Sequence, residues 1–72
     1  MACAPKLLDV IALTDDLPDR GLVRGQVGTI VELLGKDAYE IEFSDDEGRT
    51  YATLALRQTQ FMVLHHRPLM VA

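Results

Sequence analysis

Few side chains in this chain are suited to chemistry, and their spacing limits what they can do. Asp45, Asp46 and Glu47 are consecutive. A calcium loop spreads its oxygen ligands over about twelve residues and closes on a bidentate acid, so three adjacent carboxylates cannot converge on one ion. They read as a solvated turn that steers a basic partner by charge, with Arg49 placed to bridge to a neighbouring acid. His65 and His66 are adjacent. On a strand they face opposite sides, so one chain cannot close both on a single metal. Ser44 and Thr29 carry hydroxyls, yet no pattern sets a histidine and a carboxylate around either. Cys3 is the single cysteine, which rules out an internal disulfide and a paired zinc or redox motif. These residues predict no catalytic centre, no metal site and no cofactor, and hence a protein that is not an enzyme.

Gly21, Gly25 and Gly28, with Ile30 following, make the one spacing that approaches a named motif. A phosphate loop is excluded, because no Lys-Ser or Lys-Thr follows and the next element reads as a strand. The pattern is similar to the loop-and-strand motif of KOW domains, the SH3-like barrels of ribosomal proteins and transcription elongation factors. That resemblance implies a chain turning sharply from a loop into a strand, and RNA or protein contact through nearby lysines and arginines. Here Leu22, Val23, Gln26 and Val27 occupy most of the basic positions and Arg24 remains. An alternative function follows: an RNA- or ribosome-contacting module using the Gly21/Gly25/Gly28 loop with Arg20, Arg24 and Arg49.

Charge weighs against that alternative. The chain has 72 residues, 49% hydrophobic and 25% charged, with a net charge of −4. Residues 1–36 hold five acids and four bases, whereas residues 37–72 hold six acids and three bases, and all six acids fall between Asp37 and Glu47. An acidic surface repels a phosphate backbone, which disfavours nucleic acid as a partner. Asp9, Asp15 and Asp16 interrupt the most apolar stretch, so nothing approaches the roughly 18 to 20 residues of a membrane span. The start also lacks a signal-like basic and apolar pair of regions. Cytoplasmic location is the expectation. A chain this short buries about 60% of its unfolded surface, which leaves a marginal core and little room for a cavity.

The elements that must position these residues have a period of two. Leu7–Leu13, LLDVIAL, reads as a first strand with Leu7, Ile11 and Leu13 on one face, ending at the turn formers Thr14, Asp15 and Asp16. Residues 14–25 read as a loop, in which Leu17 and Leu22 flank Pro18 and fold back onto the domain. Gln26–Leu34 is a second strand in which Gly28 marks a bulge, a bend or a close backbone approach. After the turn at Gly35–Asp37, AYEIEF alternates most cleanly, with Tyr39, Ile41 and Phe43 inward and Glu40 and Glu42 outward. Ser44–Gly48 is a second turn and RTYATLAL a fourth strand. The stretch RQTQ suits one 3-10 turn, and FMVLHH is the last strand, stopped by Pro68.

This order predicts an all-β fold: a small five-stranded SH3-like barrel with a long first loop and a short 3-10 turn before the last strand. The expected divisions are an N-terminal tail at 1–6, the barrel at 7–66 and a C-terminal tail at 67–72. Over residues 7–64 the stretches LLDVIALTDDLP, GLVRGQVGTIVELL, YEIEFSDDEGRTYATLAL and MVL resemble an uncharacterised family of small bacterial proteins, domain of unknown function 4926. The resemblance implies an SH3-like fold and a bacterial origin, and it carries no activity or catalytic residues. A proline-peptide groove is poorly served by a chain without tryptophan. The expected function is a non-enzymatic protein-interaction module, an accessory or antitoxin-like partner of another, basic, bacterial protein. Its expected partner-binding residues are Leu17, Leu22, Arg24, Glu40, Glu42 and Tyr51. Apolar Leu69, Met70 and Val71 in the tail suggest packing on the barrel or on a second chain, as a homodimer.

Overall fold

A computed structural model of the chain describes residues 4–65. Cys3, His66 and the tail residues Leu69, Met70 and Val71 lie outside the described residues. The fold is all-β: β1 (Val10–Leu13), β2 (Val27–Leu33), β3 (Ala38–Ser44), β4 (Thr50–Arg57) and β5 (Phe61–Val63) form one antiparallel sheet in the order β4-β3-β2-β1-β5. A 3-10 turn at Gln58–Gln60 carries the chain from β4 to β5, at opposite ends of that order. No helix of the described residues is long and apolar enough to cross a membrane.

Alternation builds the core. On β3, Tyr39, Ile41 and Phe43 are buried, and on β1 Ile11 and Leu13 are buried, as a period of two requires. Ile30, Leu54, Leu56 and Phe61 complete the inner face, and Leu22 joins them from the first loop. The rings of Tyr39 and Phe61 meet edge to face with centroids 5.4 Å apart. Their strands are three places apart in the sheet, which would be about 14 Å if it were flat. The sheet is therefore strongly curled about this core. Among the described residues no ladder joins β4 to β5.

Two details differ from the expected strands. The first strand starts at Val10, not Leu7, because Lys6 to Asp9 form a turn. The Asp9 amide donates to the Lys6 carbonyl at 3.0 Å, and the Asp9 carboxylate accepts from the Lys6 amide at 3.0 Å. Leu8 takes a left-handed φ of 71° there and is exposed with Leu7. In β2 the bulge falls at Val31, between the pairs Ile30 with Ile41 and Glu32 with Glu40. Gly28 has a different job. A Cβ there would lie 2.7 Å from Ile41 Cγ2 and 3.0 Å from the Glu42 carbonyl oxygen, so only glycine lets β3 approach.

Candidate interaction surface

The long first loop is held by its own backbone. Leu17 and Leu22 exchange amide-to-carbonyl hydrogen bonds of 2.8 and 3.1 Å, with a 3-10 turn, Pro18–Arg20, between them. Pro18 fits its first position, and Gly21 ends the turn at φ 70°, a left-handed value that glycine adopts without strain. This small hairpin drops Leu22 into the core and packs Leu17 against it. The other end of the loop is fixed by side chains. Asp16 Oδ1 accepts the Arg24 amide at 2.8 Å, and the Gln26 amide side chain accepts from the Val23 N–H while donating to the Tyr51 hydroxyl at 3.0 Å.

Gln26 was not among the expected site residues. Its part depends on Tyr51, 25 residues away, and nothing local in the sequence signals that contact. Tyr51 reaches it because it is the extra residue of a bulge in β4, between the pairs Phe43 with Ala52 and Ser44 with Thr50. Its ring leans on Phe43 at 6.3 Å while half its surface stays exposed.

The carboxylates gather on the outer face of β2 and β3. Glu40 and Glu42 are two apart on β3 and point outward between buried neighbours. Glu32 on β2 lies directly across from Glu40, and Thr29 lies across from Glu42. Like charges directly opposite are destabilising, so this row costs the fold something. Thr50 Oγ1 donates to Glu42 Oε2 at 2.9 Å, the one polar side-chain contact made to these three acids among the described residues. The ion pairs lie elsewhere, between Lys6 and Asp9 and from Arg49 to Asp45 and Glu47.

The acidic turn is a closed structural unit. Asp45 Oδ1 accepts the amides of Glu47 and Arg49 at 2.9 Å each, Gly48 takes a left-handed φ of 81°, and Arg49 folds back onto Asp45 and Glu47. Among the described residues no three His, Cys, Asp or Glu side chains are placed to hold a metal ion. A shallow, open depression beside the loop is lined by Ala12, Thr14, Asp16, Arg24 and Met62, among others, so it is a surface groove with charges of both signs rather than an enclosed pocket.

The six expected contact residues thus separate into two groups. Leu22 is only 2% exposed and serves the core, so its side chain offers nothing to a partner. Leu17 is half-buried beneath the loop, while Arg24 and Tyr51 are exposed around it. Glu40 and Glu42 form the second group with Glu32, which sequence reading did not single out because the cross-strand register that places it is a property of the folded sheet.

Fold and surface define a small all-β domain with a curled antiparallel sheet and one acid-bearing face. The sequence model of the family described as Domain of unknown function (DUF4926) matches residues 7–63, and the chain belongs to that family. Nothing among the curated proteins and nothing among the solved structures matches it.

Proposed function

We propose that this chain is a non-enzymatic protein-interaction module, cytoplasmic in its setting, that meets a basic partner with the outer face of β2 and β3. A curled five-stranded sheet of this strand order suits an SH3-like barrel, a fold used widely for interaction. The observation that carries the reading is the row Glu32, Glu40 and Glu42: it has no ion pair among the described residues, although Arg57, Arg24 and Lys36 are in the same small domain. A row of carboxylates kept together against its own repulsion is repaid when a cation neutralises it. An accessory role toward another bacterial protein fits such a surface.

The test is comparative capture. Immobilised wild type and a Glu32→Gln/Glu40→Gln/Glu42→Gln variant are exposed to lysate at low and at physiological salt, and retained proteins are identified by mass spectrometry. A basic protein held by the wild type, released by salt and absent from the variant is the expected result. Equal retention by both proteins, or none by either, overturns the reading.

A further inference from the structure

The pairing of β4 fixes the directions of its backbone groups. In an antiparallel strand the N–H and C=O of one residue share an edge, and successive residues alternate between edges. The Arg57 amide donates to Gln60 Oε1 at 2.8 Å, away from β3, and β4 pairs regularly with β3 from Ala52 to Arg57. Thr53 and Ala55, at the same parity, therefore direct their N–H and C=O groups to the outer edge. Among the described residues β4 pairs with β3 alone. Both residues are exposed.

Natural sheets blunt such an edge with lysine, proline or a bulge, or by keeping it short. The opposite outer strand, β5, is three residues long. From Ala52 to Leu56, β4 carries no charge, no proline and no bulge, its one irregularity lying at Tyr51. The flanking side chains are also informative. Thr53 lies across from Glu42 and Ala55 across from Glu40. A strand added at this edge would run about 5 Å beyond β4 and about 10 Å from the carboxylate row. Between them stand only the small side chains of Thr53 and Ala55, over which a lysine or arginine stem can reach.

We infer that the outer edge of β4 accepts an extended, lysine- or arginine-bearing peptide segment as an added strand, hydrogen-bonded at Thr53 and Ala55 and held by Glu40 and Glu42. Charge selects this occupant over a second copy of the chain. Two copies paired at β4 would bring two acidic rows to about 14 Å of each other with no cation between them, each on a chain of net charge −4. The inference rests on the acid-face reading and adds to it the backbone that does the pairing.

The test uses a short alternating lysine–threonine peptide and a counterpart of equal charge with alternate amides N-methylated. Binding is followed by anisotropy, and amide hydrogen exchange by NMR on the full chain. The unmodified peptide should slow exchange at Thr53 and Ala55 and bind about tenfold more tightly than the N-methylated one, as the loss of one or two hydrogen bonds implies. Ala55→Pro, which removes an outward N–H at an edge position, should weaken the unmodified peptide alone. Equal affinity for both peptides without protection at Thr53 and Ala55 overturns the edge site. If Glu40→Gln/Glu42→Gln still weakens both peptides in that case, the acid face survives without it. Binding of neither peptide overturns both. Protection at Thr53 and Ala55 that rises with protein concentration alone, together with a dimer mass, assigns the edge to a second copy and also overturns the inference.

Discussion

Gly28 and Gln26 show what single positions contribute and how differently the two are written in the sequence. A methyl group at Gly28 would collide with Ile41 and with the Glu42 carbonyl, one of them backbone that cannot swing aside. Gly28→Ala should therefore destabilise the domain by about 1–3 kcal/mol, seen as a lower urea midpoint with an unchanged slope. That glycine was legible because a glycine inside a β pattern signals close approach, though not which neighbour approaches. Gln26 was not legible. Its side chain joins Val23 to Tyr51, and glutamine has no local signature for such a bridge. Gln26→Ala should cost about 0.5–1.5 kcal/mol and speed amide exchange at Val23, while Tyr51→Phe should remove only the second of its two contacts.

The elements followed their hydrophobic patterns where one face was wet and departed from them where both faces were apolar. β3 alternates cleanly, so its inward and outward residues could be assigned before its neighbours were known. LLDVIAL has apolar residues at both parities, which leaves the strand's start undefined. Asp9 then closes a turn on Lys6 and moves that start to Val10. The bulge at Val31 was hidden for a related reason, since a bulge is a mismatch between two strands and Val31 is an ordinary strand residue by itself. The first loop folds Leu17 and Leu22 back onto the domain as its sequence predicts, and the pairing of the two leucines, which the sequence does not signal, makes it a hairpin anchored in the core. Leu22→Ala should cost about 2–5 kcal/mol, a core-sized loss from a loop residue, measurable by chemical denaturation. A loss below 1 kcal/mol would show that the loop is docked only weakly.

At the scale of the whole molecule, curling and charge act together. Packing Tyr39 against Phe61 turns the apolar face inward, which leaves the outer face to carry the acids of β2 and β3. The concentration of acids between Asp37 and Glu47 was plain in the sequence. The division of Asp45 and Glu47, held in a closed turn by Arg49, from Glu40 and Glu42, which have no ion pair among the described residues, became visible only with the folded structure. The two parts should respond differently to mutation. Glu40→Gln relieves a direct like-charge pair and should stabilise the domain by about 0.2–1 kcal/mol, whereas Asp45→Ala opens the turn and should destabilise it. A substitution that stabilises the fold while weakening binding is the behaviour of a surface retained for function. The most direct measurement is calorimetric titration of a lysine-bearing extended peptide into the wild type and into the Glu32→Gln/Glu40→Gln/Glu42→Gln variant at low and physiological salt. The acid-face account predicts saturable binding to the wild type, weakened by salt and reduced about tenfold or more in the variant, a loss of at least about 1.4 kcal/mol. Equal affinity for the two proteins, unaffected by salt, would contradict it.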